Sequence, residues 1–430
     1  MKQTMTNLKQ LIRAGRGIIP AHTVIVNGDL VNVMSSEIYK ADVAIYEDTI
    51  VAVGNVTDYI GPDTKTIDAE GRYLVPGLID GHIHSECSKL SITSYAKAVV
   101  PRGTTSMISG LDEYISVSGL EGLQEVFEEI KSSPLKVFWG APYKTPYTFP
   151  QSTVAFNFTK EVHEQVQQWP ECYGVWETVR EYVTEEDENT LGAIEVAEAG
   201  KLNYELNAPK RSSVLTSKLK CAKTTKEDFE YKVGIKNGCE KVLSMDVKGP
   251  FVRKRRDVVL EVKDGIVQPS QIQDAAMVSV IERFGRNGNK SLAFCSGWNL
   301  KRGAMASTAA PDDNNLIVMG ANAEDMSIAV NHLIENGGGQ VVVADGEILE
   351  FLPLPVGGIV SDLEPEVIAE WEKRVNKAAN QLGCDLPEPL MYMFFLPITA
   401  IPDYAITDVG PVDCIALDTF DPILELIESK

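Results

Sequence analysis

Short runs of apolar residues broken by turn formers open the chain. "HTVIVNGDLVNV" predicts two short strands around the turn Asn27-Gly28-Asp29. "ADVAIYEDTIVAVG" repeats the pattern around Glu47-Asp48, so a β-rich unit is expected over roughly residues 20 to 73. From Leu74 the rhythm changes to alternating strands and helices. "LVPGLID", "TTSMIS", "LKVFWG", "CYGVW" and "KLNYEL" predict strands. Between them "ITSYAKAVV" predicts a helix stopped by Pro101 and Gly103. "GLEGLQEVFEEI" places Leu120, Leu123, Val126, Phe127 and Ile130 on one helical face. "TKEVHEQVQQW" predicts a helix capped by Thr159, and "TEEDENTLGAIEVAEAG" one capped by Thr184 and stopped at Gly200. About five strands and four helices in alternation imply an α/β fold with a parallel sheet or barrel.

Beyond Ser212 the alternation loosens. "KTTKEDFEYKVGIKNGCEKVLSMDV" and "RDVVLEVKDGIV" predict strands and turns, and "QIQDAAMVSVIERFG" a helix. "NLIVMG" then predicts a strand and "NAEDMSIAVNHLIE" a helix stopped at Gly337-Gly338-Gly339. "QVVVADGEILEFLPL" predicts a hairpin turning at Asp345-Gly346, with a last helix over about Pro365 to Leu382.

Bulk properties narrow the possible partners. The chain has 430 residues and a formal charge of -21. Such an acidic surface argues against nucleic acid and anionic membranes and favours a small neutral substrate. The sequence shows no apolar run long enough to span a bilayer and no signal-peptide h-region. Seven scattered cysteines without CxxC spacing fit a reducing, cytoplasmic setting. "VRKRRD", residues 252 to 257, reads as a solvated strand face.

The chemistry concentrates at the predicted strand ends. Only five histidines occur in the chain, yet "VPGLIDGHIHSECS" places His82 and His84 one residue apart after an apolar run. In an extended strand both imidazoles face one side and can reach one ion. The later strands end near Asp112 and Glu113, near Tyr143 or Lys144, at Glu177 and at Asn207. Function in sheets of this kind sits at strand C-termini. Of the other histidines, His22 precedes the first strand, His163 falls in a surface-type helix and His332 in a helix near the C-terminus.

Together "ADVAIYEDTIVAVG", "IDAEGRYLVPGLIDGHIHSECS" and "GTTSMI" resemble the amidohydrolase superfamily. "NLKRGAMASTAAPDDNNLIVMGANAEDM", "GGGQVVVADGEILEFLPLPVGGIVSD" and "ITDVGPVDC" look like the C-terminal domain of the bacterial adenine deaminase family. The resemblance implies a metal-dependent-hydrolase-like (β/α) barrel holding one or two divalent ions (manganese, iron or zinc). A metal-activated water would attack adenine to give hypoxanthine and ammonia. It implies three regions: a β-rich flanking unit over 1–73, the barrel with the HxH site over 74–215, and a C-terminal α/β domain over 216–430.

His82 and His84 match the family's first metal pair, and Glu177 its bridging carboxylate. Glu86 matches the acid of H-x-H-x-E-S, with Cys87 in place of serine. Glu113 matches the acid of Pro-His-Glu, with Asp112 in place of its histidine. Asn207 stands where Gly-His-Ala-Pro carries a metal histidine, and in "APDDNN" Pro311 and Asn314 replace two further histidines. Glu86 and Glu113 are the candidate catalytic acids, and Asp112 and Asn207 the candidate substrate contacts. Leu78 to Lys220 hold only about 140 residues where a full barrel takes roughly 200. The barrel is therefore expected to be truncated. Either a partner chain supplies the rest, the barrel is remodelled, or a segment is missing. Edge strands left open in this way favour a homo-oligomer. Two other functions fit the replaced ligands: a non-catalytic relative kept for binding or assembly, and a hydrolase of another cyclic amidine or amide.

Overall fold

The computed structural model describes residues 5–145, 149, 151–177, 180–184, 186–199 and 219–428. The chain divides into two compact units, Met1–Leu78 and Ile79–Lys430.

The first unit is built on two small sheets. The predicted strands Thr23–Val26 and Asp29–Asn32 both form, but they do not pair with each other. Thr23–Val26 lies between Asp42–Tyr46, antiparallel, and Lys65–Asp68, parallel. Asp29–Asn32 pairs instead with Glu37–Lys40 and Tyr73–Leu74. The left-handed φ of 58° at Asn27 turns the chain out of one sheet into the other. The hairpin at Glu47-Asp48 forms as the sequence predicts, and Ala21, Val24, Ala44 and Val56 make the core of this unit.

The second unit carries a four-stranded sheet in the order Cys172–Val175, Lys136–Ala141, Thr104–Ser109, Leu78–Asp80. Both pairings within Thr104–Val175 are parallel. One face is packed: Met107 and Trp139 join Leu123, Val126 and Phe127 of the Asp112–Ser132 helix in one core. On the other face Ile108 lies opposite Phe138, and Tyr173 meets Phe138 edge-on with ring centroids 4.9 Å apart. This face stays open, with Tyr173 66% exposed. The described strands form an open sheet, and closure into a barrel is not seen among them.

Two helices depart from the expected pattern. In place of one helix capped by Thr184 there are two, Arg180–Thr184 and Glu188–Ala199. The second is capped by Asp187, whose carboxylate accepts from Thr190 N at 2.9 Å. His163 is not on a surface helix face: it is fully buried against Phe158. The predicted strand "KLNYEL" and Gly200 lie outside the described residues.

The rest of the second unit is built on a ten-stranded, mostly antiparallel sheet, with a small three-stranded sheet of Tyr404–Thr407, Gly410–Asp413 and Asp418–Thr419. Alternate residues of its central strands face two cores. One core holds Val278, Met305 and Met319 with Val375 and Ala379 of the Pro365–Gln381 helix. The other holds Met277, Ala306 and Val318 with Met326, Val330 and Leu333 of the Ala323–Asn336 helix. The expected helix in "QIQDAAMVSVIERFG" is a strand, Ala276–Ile281, buried at every position. A strand covered on both faces has no polar alternation, so its apolar run reads equally well as a helix. Arg253 in "VRKRRD" is likewise buried rather than solvated.

Candidate metal and active site

The HxH segment follows the short Leu78–Asp80 strand through a bend at Gly81 and His82. Ile83 turns into the core beside the Thr104–Ser109 strand, to which its N–H donates at Ile108 O, 3.2 Å away. Residues either side of Ile83 therefore face away from that core, which sends both imidazoles to one side. Trp176 N donates to Ala141 O at 2.7 Å, carrying the sheet one residue past the Cys172–Val175 strand. Glu177 emerges there.

Those two strand ends bring three groups together. His82 Nε2 lies 2.9 Å from Glu177 Oε2, and His84 Nε2 lies 3.3 Å from Glu177 Oε1. The other side of the His84 ring faces acids: Nδ1 is 3.1 Å from Asp112 Oδ2 and 3.7 Å from Glu113 Oε1. The 3.1 Å approach is an ion-pair distance without hydrogen-bond alignment. Asp112 and Glu113 open the Asp112–Ser132 helix, which is broken at Gly119 (φ 65°, ψ −162°), and sit in the first turn of its short leading piece. Glu86 is buried close by, 3% exposed, with Ser85 Oγ donating to its Oε2 at 3.1 Å.

The cluster is electrostatically crowded. Burial works against a charged His84, but the field of Asp112 and the contacts to Glu113 and Glu177 outweigh it and raise the ring's pKa. Burial, then repulsion from Glu113 and Asp112, pushes Glu86 well above the carboxylate range. Burial and Asp112 push Glu113 up to about 7. Glu177, half-exposed, is lowered by its contact with His84. Among the described residues, Glu86 Oε1, Asp112 Oδ1 and Glu113 Oε2 are buried without hydrogen-bond partners.

The structure thus gathers His82, His84, Glu177, Asp112, Glu113 and Glu86, while Asn207 lies outside the described residues. Tyr143 and Lys144 also sit at a strand end, but Lys144 is engaged by Asp187 at 2.8 Å. Two residues escaped the sequence reading. The Trp176 ring packs 4.5 Å from that of His82, and a Cβ at Gly110 would stand 2.4 Å from Trp176 and 2.5 Å from Asp112 Oδ1. The available signal was adjacency, since each neighbours a strand-end candidate.

Comparison with known proteins places the chain among relatives. Residues 251–417 match the model of the adenine deaminase C-terminal domain. Adenine deaminase 1 of Desulfotalea psychrophila is 55% identical over 594 aligned positions that cover all of both chains. Adenine deaminase 1 of Latilactobacillus sakei is 40% identical, covering 99% of this chain and 100% of its own. The first alignment is longer than this chain's 430 residues, so the relative has positions that this chain leaves unfilled. A crystal structure of an adenine deaminase aligns at 20% identity over 42% of this chain and 48% of its own, with a TM-score of 0.29, too slight a likeness to argue from. On the strength of the full-length relatives, the chain belongs to the adenine deaminase family.

Proposed function

We propose that the chain hydrolyses adenine to hypoxanthine and ammonia at the His82–His84–Glu177 cluster. The observation that carries this reading is the convergence of two imidazole Nε2 atoms on one carboxylate beside three buried acids. The donor set fits a divalent ion. Two imidazoles and a carboxylate suit zinc, manganese or iron, and the unpartnered buried carboxylate oxygens mark an excess of negative charge that a cation would offset. When bound, the ion acidifies water and polarises the group under attack. His82, His84 and Glu177 would hold it. Asp112 fixes the His84 ring through Nδ1, a positioning role in place of the substrate contact expected from sequence. Glu113, pushed up to about 7, can take a proton from water and return it to the leaving amine near neutral pH. Glu86, buried beside Glu113 and Asp112, is pushed upward by burial and by their repulsion.

Protein purified without chelator should carry near-stoichiometric divalent metal, and added manganese should support the ultraviolet change of adenine conversion. Asp112→Asn should weaken metal affinity by about 10- to 100-fold. His84→Ala should abolish both metal retention and conversion. A metal-free wild type, or full activity in His84→Ala, would remove the proposal.

The four-stranded sheet is read as part of a (β/α) barrel, and its open Ile108–Phe138–Tyr173 face supports assembly into a homo-oligomer. Sedimentation at micromolar concentration distinguishes that assembly from a monomer.

A further inference from the structure

Outside the metal cluster, the second unit holds a cavity of about 610 Å³ whose wall includes Glu121, Phe156, Lys220, Arg283, Phe284 and Arg286. Arg283 lies just past the Ala276–Ile281 strand and is 2% exposed. Its Nη2 donates to Gly357 O at 2.8 Å. Its Nε and Nη1 are buried without a hydrogen-bond partner among the described residues. A buried guanidinium with two idle donors is costly unless something else engages it. Burial lowers its pKa only to about 10, so it is a cation at neutral pH. Asp313, whose field reaches it, is itself pushed up to about 8 and leaves that charge largely uncompensated. Nη1 itself packs against Gly358, where a Cβ would stand 2.4 Å away.

The other charges point the same way. Lys220 and Arg286 are exposed on the same wall, and the Arg286 guanidinium donates to Ala155 O. Among the described residues Glu121, also exposed, is the one acid lining the cavity. Phe156 and Phe284 supply apolar surface, and the volume lies in the range of small-molecule sites.

We propose that this cavity binds a small phosphate monoester, with the phosphoryl group between Arg283, Lys220 and Arg286 and the organic part against Phe156 and Phe284. Arginine's fixed fork of donors matches phosphoryl oxygens, and three cations against one acid favour a dianion over a monoanion.

Phenyl phosphate titrated against the full chain, with thermal melting as readout and sodium chloride at matched ionic strength as control, tests this. A saturable rise in Tm is expected. Lys220→Gln and Arg286→Gln should each weaken the apparent Kd by about 3- to 10-fold, while Glu121→Gln should tighten it by about 3-fold. The gain in Glu121→Gln cannot arise from a folding defect. Absence of a saturable shift, or the same Kd in all three variants as for an anion held elsewhere on the chain, would overturn the proposal. Benzoate binding as tightly as phenyl phosphate would overturn the phosphate assignment.

Discussion

Asp313 is the residue whose titration should be easiest to see from outside. It is buried, its Oδ1 accepts from Asn315 N at 3.1 Å, and its Oδ2 has no partner among the described residues. Burial, then repulsion from Asp408, pushes its pKa from 3.8 to about 8. Between those values the unfolded chain gives up this proton while the folded chain keeps it. Rising pH therefore erodes stability across that window, by at most ~1.4 kcal/mol per pH unit, and the loss stops above about 8. Asp313→Asn keeps the acceptor and removes the titration. Its stability advantage over wild type should be near nil at about pH 4, grow steadily toward pH 8 and then level off. Urea unfolding at stepped pH measures it, and a constant difference would show that Asp313 is ionised throughout. Nothing local in the sequence marks Asp313 as buried, because burial depends on strands far away along the chain. His82, His84 and Glu177 were legible for the opposite reason: a period of two and the rule that function sits at strand ends are both local. Trp176 and Gly110 depend on how two strand ends approach in space, which no local pattern encodes.

At the scale of elements, one side chain closes off another segment's backbone. Arg253, on the Val252–Lys263 strand and 1% exposed, donates from Nη1 to Phe395 O at 2.8 Å and Leu396 O at 3.1 Å. Its Nη2 donates to Ile398 O at 3.0 Å and Ile401 O at 2.6 Å. The Pro389–Phe394 helix ends just there, and three of these carbonyls are shared: Phe395 O also accepts from Ile398 N at 3.3 Å, Leu396 O from Ile406 N at 3.2 Å and Ile398 O from Ile401 N at 3.4 Å. Arg253→Met fills similar volume but takes away the guanidinium donor of Ile401 O and the second donor of the other three, and should cost about 2 kcal/mol in chemical denaturation. Arg253→Lys should recover little, because one ammonium cannot span four carbonyls. A loss below ~0.5 kcal/mol would mean that water replaces the guanidinium. The exposed–buried–exposed alternation around Arg253 is ordinary for a half-buried strand, and a basic run gives no hint which cation points inward. The neighbouring error over Ala276–Ile281 has the same origin. Helix and buried strand share one apolar signature, and only pairing with Ala293–Ser296 and Leu316–Gly320 decides between them.

For the whole molecule, the strand–helix alternation and the later α/β region could be read from the sequence. Closure of a barrel could not, since it requires counting strands that pair across long separations. The two larger sheets of the second unit also differ in how well they are protected. Ala276–Ile281, Ala304–Ser307, Leu316–Gly320 and Gly339–Ala344 adjoin in the middle of the ten-stranded sheet, and every residue in them is buried. The four-stranded sheet is covered on one face, and its Leu78–Asp80 edge is three residues long and largely exposed. Local opening exposes little new apolar surface at such an edge, whereas opening the central strands breaks both cores. Amide hydrogen exchange should therefore rank the four central strands slowest, at rates set by global unfolding. Thr104–Ser109 and Lys136–Ala141 should exchange faster, and Leu78–Asp80 fastest. Added divalent metal should slow exchange at residues 82–84 and 176–177 while leaving the ten-stranded sheet unchanged, because binding stabilises only the openings that break the site. Slow exchange at Leu78–Asp80 without metal would mean that this edge is covered, which is what docking of a second copy would do.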